Sequence, residues 1–132
     1  MEEIVFLELD DIMEIHKTVL KRYGGMKGIR DKNLLISAIH QPRHTFGGEF
    51  LYSSVPEMAA VYAYHLAENQ PFFDGNKRTA FISSVVFLKL NRYSFYSDNE
   101  EVYQVFTDLG NKKIGKNDLI LWYKNRCKYS SE

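Results

Sequence analysis

Asp74, Asn76, Lys77 and Arg78 stand together in one short stretch, Gln70-Pro71-Phe72-Phe73-Asp74-Gly75-Asn76-Lys77-Arg78-Thr79-Ala80. A helix start prefers Asp or Glu, because the macrodipole is positive there. Here the first turn carries Lys77 and Arg78 instead. Two cations beside unpaired backbone N–H groups make a poor helix start and a good anion cradle. Asp74 adds a carboxylate at the mouth, and Mg²⁺ favours one or two carboxylates together with phosphate oxygens. The chemistry this implies is binding of a Mg²⁺–nucleotide. Gly75-Asn76-Lys77-Arg78-Thr79 is not a P-loop: no strand feeds it, and the first glycine of G-x-x-x-x-G-K-(S/T) is missing. No zinc signature, Ser-His-Asp order or paired glycosidase carboxylates can be read.

The stretch must pass from loop to helix. Pro71 cannot continue a helix, and Gly75 is the residue best able to take a positive φ. From Asn76 the chain runs to Leu90 without a breaker. Phe81, Ile82, Val85, Val86, Phe87, Leu88 and Leu90 make that helix apolar on nearly all sides, which predicts burial. The helix before it opens at Ser54-Val55-Pro56-Glu57, with capping-box spacing and Pro56 in the first turn. Its apolar residues fall on both sides, so it is expected to be central, with His65 as a hydrogen-bonded core histidine.

Around this pair, Ile4-Val5-Phe6-Leu7 reads as an extended segment against the core. Asp10 or Asp11 caps a helix that carries Ile12, Ile15, Val19 and Leu20 and stops at Gly24-Gly25. His16 on it is a satisfied or exposed histidine. Asn33–His40 is a short helix ended before Pro42. His44–Tyr52, with Gly47-Gly48 at its centre, is a hairpin-like flap or an irregular loop. Asp98 or Asn99 starts a helix with Val102, Val105, Phe106 and Leu109 as its stripe. A last helix begins near Asn117-Asp118 and packs Leu119, Leu121 and Trp122. The fold class is all-α: one domain over residues 1–132, about six helices around two central ones, with minor β structure.

Lys plus Arg number 17 and Asp plus Glu 17, so no global field draws nucleic acid or an anionic membrane. One cysteine, Cys127, excludes an internal disulfide and a cysteine-based metal site. No apolar run reaches spanning length. The acidic start Met1-Glu2-Glu3 is not that of a signal peptide, and the tail Ser130-Ser131-Glu132 should fray. A cytoplasmic protein is expected.

The motif stretch resembles the Fic/Doc (Fido) motif H-x-F-x-(D/E)-G-N-x-R at every fixed position but the first. The likeness is closest to the death-on-curing branch, toxins of bacterial and phage toxin–antitoxin modules. It extends over almost the whole chain. Tyr23-Gly24-Gly25, Gly28-Ile29-Arg30-Asp31, Leu34-Leu35, Gln41-Pro42-Arg43, Phe46-Gly47-Gly48 and Leu51-Tyr52 look like that branch's N-terminal half. The resemblance implies a compact Fido-type bundle. Fic proteins proper move AMP from ATP to a protein hydroxyl. They usually carry Gly after the motif Asn and a second Arg three residues after the first, where this chain has Lys77 and Phe81. The death-on-curing branch shares both departures. They imply a reversed nucleotide and transfer of the ATP γ-phosphoryl to a threonine of a translation elongation factor. On that resemblance Asp74 holds Mg²⁺, and Gly75, Asn76, Lys77, Arg78 and Thr79 bind the nucleotide. Phe72 anchors the loop, and the flap Phe46, Gly47, Gly48, Leu51 and Tyr52 positions the target segment.

Gln70 stands where the family has its histidine base. Glutamine has no titratable site near neutral pH, and a missing general base costs about 10²–10⁴-fold in rate. Three readings follow: a deliberately disabled toxin, a degenerate homologue retained for binding, or an enzyme whose base comes from the target's surroundings or from His65. The two other functional classes are an AMP-transferring Fic enzyme and a non-catalytic antitoxin-binding module. Ser53 to Glu57 has the first spacing of the family's inhibitory motif S/T-x-x-x-E-G/N, but Met58 follows, and the capping box accounts for Glu57. Restraint is therefore expected from an antitoxin whose disordered tail folds on the toxin. DNA contact would then belong to the antitoxin.

Overall fold

A computed structural model describes residues 3–130, so the expectations for Met1-Glu2 and for fraying at Ser131-Glu132 lie outside the described residues. In chain order the elements are α1 (Leu9–Tyr23), α2 (Lys32–His40), a 3₁₀ turn (Gln41–Arg43), β1 (Thr45–Phe46), β2 (Glu49–Phe50), α3 (Val55–Asn69) and α4 (Asn76–Leu90). They continue with β3 (Tyr93–Phe95), α5 (Asn99–Gly110), α6 (Lys116–Arg126) and β4 (Cys127–Tyr129). The all-α expectation holds: among the described residues the strands are two or three residues long.

α3 is the spine. It packs most extensively on α4, then on α6 and α2, and α1 packs on α4. Ser54 caps α3 by accepting from the Glu57 N–H at 3.3 Å. Met58, Ala59, Ala60, Val61, Tyr62 and Ala63 then form an unbroken buried run on it. The facing helix differs from expectation. Its fully buried residues are Thr79, Ala80, Ser83, Ser84, Phe87 and Leu88, while Leu90 is 49% exposed. Small side chains let the α3 and α4 backbones approach, Phe87 and Leu88 fill the core beyond them, and Phe81, Ile82, Val85 and Val86 are only half-buried. Of the buried hydroxyls on α4, that of Ser84 is satisfied locally. Ser84 Oγ donates to the Phe81 carbonyl at 2.6 Å and pairs with the buried Tyr123 hydroxyl at 2.6 Å.

The N-terminal segment is extended against this core, as expected. Leu7 is fully buried, and its N–H donates to the Tyr62 hydroxyl at 3.0 Å. The Asn91 side chain bonds both the N–H and the carbonyl of Val5, at 2.8 and 2.9 Å. Three details correct the sequence reading. α1 is capped by Glu8, not by Asp10 or Asp11: Asp11 sits at N3 and accepts from the Glu8 N–H at 2.8 Å. β3 and β4 pair antiparallel, Tyr93 opposite Tyr129 and Phe95 opposite Cys127, tying the C-terminal end to the turn after α4. On α6, which starts at Lys116, Leu121 is 60% exposed and Tyr123 is buried. Phe95 packs edge-on against Trp122 and tilted against Tyr123, and this fixes the helix phase.

The tight α3–α4 seam yields a test. Ala80 is fully buried, so Ala80→Leu should overpack the seam and cost about 1–3 kcal/mol in urea unfolding. An unchanged midpoint would mean that the two helices are not in close contact.

Candidate active site

The loop between α3 and α4 is held from within by one side chain. Asn76 Oδ1 accepts from the Phe72 N–H, and its Nδ2 donates to the Phe72 carbonyl, both at 2.9 Å. Phe72 itself is 1% exposed, its ring stacked on His16 at 3.7 Å and 9°. His16 is buried, and its Nε2 bonds the Asp74 carbonyl at 2.9 Å. The chain thus enters α4 through a loop nailed at residues 72, 74 and 76.

Gly75 is the N-cap of α4, at φ 79°. A Cβ there would lie 3.3 Å from both Leu20 and Val19, so the close packing of α1 and the positive φ both require glycine. Having no side chain, Gly75 cannot cap the helix. The first N–H to find a helical partner is that of Thr79, bonded to the Gly75 carbonyl at 2.9 Å. The N–H groups of Asn76, Lys77 and Arg78 therefore have no side-chain cap and face outward. Asp74 does not supply one: its Oδ2 accepts instead from the Met26 N–H at 2.6 Å, across the loop. Gly25 permits this approach, since a Cβ on it would meet the Asp74 Cβ at 2.9 Å.

The cations spread from this point. The Arg78 guanidinium lies 4.0 Å over the Tyr23 ring, at the end of α1. The Lys77 ammonium lies beside Gly110, where a Cβ would be 2.9 Å from Nζ. That is the C-terminal end of α5, whose dipole favours a cation. Both line a groove of about 620 Å³ between α4 and α5, with Tyr23, Phe81 and Tyr103 among its walls. Thr79 does not join them: its side chain is fully buried in the α3–α4 seam, and its Oγ1 has no partner.

Gln70 is the C-cap of α3, exposed and in the left-handed region, φ 46° and ψ 57°. This conformation costs a non-glycine residue about 1 kcal/mol. Burial of the Phe72 ring two residues on offsets it, at roughly 2 kcal/mol. The flap forms as a hairpin, Thr45 opposite Phe50 and Phe46 opposite Glu49. Phe46 is 83% exposed at its tip. Its base is held by Phe50 against Phe6, at 5.6 Å, and by Lys116 donating to the Tyr52 hydroxyl at 2.5 Å. Among the described residues, no hydrogen bond or ring contact joins the flap to Gln70 or Asp74.

Among the described residues no cluster of three or more His, Cys, Asp or Glu could hold a metal by itself, and no helix is long and apolar enough to cross a membrane. Asp74 stands as one exposed carboxylate beside the uncapped N–H groups. A family model, that of the Fic/DOC family, matches residues 6–88, which span α1 through most of α4. The chain belongs to the Fic/DOC family. Toxin Doc of Mycolicibacterium smegmatis is 31% identical over 93 residues, 70% of this chain and 69% of that protein. A protein of Escherichia phage P1 named Protein kinase doc is 28% identical over 91 residues, 69% of this chain and 71% of that one.

Within this Fic/DOC chain, His65 departs from expectation. Its Nε2 is buried and has no hydrogen-bond partner. Burial first, and then the charges of Lys116 and His44, bring its pKa down from 6.5 to about 4. The residue is half-buried, with Nε2 enclosed and the ring held neutral at ordinary pH. Sequence periodicity could not have shown this, because Lys116 approaches from another helix. His65 should make stability pH-dependent. The folded pKa lies below the unfolded one, so the unfolded chain gains its proton first, and stability falls as pH drops from about 6.5 towards about 4. In thermal unfolding, His65→Phe should flatten that decline without loss at neutral pH, and an equally steep decline in both proteins would contradict the assignment.

Proposed function

We propose that this chain is the toxin of a bacterial or phage type II toxin–antitoxin module. Its fold would serve a protein kinase-like phosphotransferase, which moves the ATP γ-phosphoryl to a Thr or Ser hydroxyl of a translation elongation factor and arrests translation. The observation that carries the proposal is the uncapped first turn of α4, with Asp74 at its mouth. The support from relatives is that one is named a toxin and another a protein kinase. The setting is the cytoplasm, where translation occurs. The partner is an antitoxin whose tail folds on this chain, and nucleic acid is not contacted directly.

In this reading the N–H groups of Asn76, Lys77 and Arg78 bind phosphate oxygens, with the charges of Lys77 and Arg78 behind them. Phosphoryl transfer depends mostly on such positioning and charge neutralisation. Asn76 contributes through its backbone, because its amide is committed to Phe72. Asp74 would hold Mg²⁺ by the carboxylate oxygen that Met26 leaves free, and the ion would neutralise phosphate charge. The target hydroxyl oxygen forms a bond to the γ-phosphorus as the bond to the β,γ-bridging oxygen breaks, and ADP leaves. The hydroxyl proton must go to a base at position 70. Gln70 can orient the hydroxyl but cannot take the proton, so in this chain the proton passes to water and the rate suffers.

With γ-labelled ATP and a bacterial elongation factor, Gln70→His should gain about 10²–10⁴-fold in label transfer over the chain as it stands. Adding Asp74→Ala to that variant should abolish the gain. Transfer from α-labelled ATP alone would assign AMP transfer instead. An inert Gln70→His protein that still binds a helical antitoxin tightly would leave the binding module.

A further inference from the structure

We propose that Arg30 is a positioning residue for the reactive loop, setting the backbone from which residue 70 meets the target hydroxyl. The inference rests on the phosphotransferase reading. Arg30 is exposed and makes no salt bridge among the described residues, yet its side chain is engaged at two atoms. Nε donates to the Gln70 carbonyl at 2.7 Å, and Nη2 donates to the Asn69 carbonyl at 2.8 Å. These carbonyls close α3, where the helix has no N–H donors of its own left to offer them and its dipole favours a cation.

Arg30 belongs to a run that matches the reactive loop almost residue by residue. The N–H groups of Arg30 and Asp31 both reach the Pro71 carbonyl, at 2.7 and 3.1 Å. Ile29 forms a bridge with Phe72, and the Gly28 carbonyl accepts from the Phe73 N–H at 3.4 Å. The Met26 N–H then takes the Asp74 carboxylate. Every other contact in this run is donated by backbone, which many sequences could supply. Among the described residues, the fork of Arg30 is the one hydrogen-bonding side chain that this run itself contributes to the loop.

The fork acts where the loop is strained. Gln70 is left-handed, so its φ and ψ decide the direction in which its side chain leaves the backbone. Two parallel bonds to consecutive carbonyls fix that peptide against rotation. An ammonium on a flexible stem lacks this rigid planar fork and would hold the two carbonyls less firmly. Arg30 thus ties the end of α3 to the same segment that orients Asp74, and so keeps the proton-accepting position and the metal position in one frame.

The test uses the full chain carrying Gln70→His, with Arg30→Ala or Arg30→Lys added. Arg30→Ala should lower kcat for γ-phosphoryl transfer by about 10²-fold, because a displacement near 1 Å costs that much. KM for ATP should stay nearly unchanged, and Arg30→Lys should be intermediate. Guanidinium chloride at low millimolar concentration should restore part of the Arg30→Ala rate. Parallel loss in kcat and KM that follows the drop in Tm, with no rescue, would overturn the proposal. Should Gln70→His itself prove inert, the phosphotransferase reading fails, and amide spectra of the chain as it stands decide about Arg30. Shifts from Arg30→Ala confined to residues 69–74 and reversed by guanidinium support it; shifts that are absent or spread through the chain refute it.

Discussion

The paired hydrogen bonds between the Asn76 amide and the backbone of Phe72 are the constraint on which the site depends. They close the loop on itself and take up the side chain that could otherwise have capped α4. Asp74, the other candidate cap, is drawn away to Met26. Gly75 at the cap position has nothing to offer. Omitting a cap costs about 1 kcal/mol, and two cations in the first turn cost a few tenths more each. The helix is kept in place by the burial of Phe72, Ala80, Phe87 and Leu88, not by its own ends. Local rules are broken where a ligand would repair them, as expected of a functional site.

The architecture turns this local arrangement into a frame. α3 ends at its C-cap Gln70 and α4 begins at Asn76, and the two helices share the most extensive helix–helix contact among the described residues. The position that should accept a proton and the positions that should hold phosphate therefore sit on facing helix ends. α1 supports the frame from outside: His16 holds the Asp74 carbonyl, Val19 and Leu20 press on Gly75, and Tyr23 carries Arg78. Arg30 and the run from Met26 to Asp31 hold the remaining side. The flap is braced on a separate set of residues, Phe6 and Lys116.

Much of this was legible in the sequence because it rests on local rules. Ser54 and Asp98 as caps, Gly24 as a stop, the break at Pro71 and the basic helix start are each read from neighbours a few residues apart. The resemblance to the Fic/Doc motif located the site, and the match over residues 6–88 agrees with it. What escaped depends on distant partners. The β3–β4 ladder joins residues more than thirty apart in sequence. The burial of Thr79, Ser83 and Ser84 follows from the approach of α3, and hydropathy alone would have placed them outside. Asp11 was mistaken for the cap of α1 because an N3 partner and an N-cap look alike in a run of acids, here Glu8, Asp10 and Asp11. The Asn76 amide was expected at the phosphates and is instead turned inward, a choice fixed by Phe72 four residues earlier.

The proposed function requires the open first turn of α4 to bind phosphate even with Gln70 in place, and that requirement can be measured directly. Titration of the isotopically labelled chain, with Gln70 in place, by Mg²⁺–ATP should shift the amides of Gly75, Asn76, Lys77 and Arg78 first and saturably. Saturable binding that leaves these amides unmoved, or no binding at all, would contradict the claim that the open turn of α4 is a nucleotide cradle.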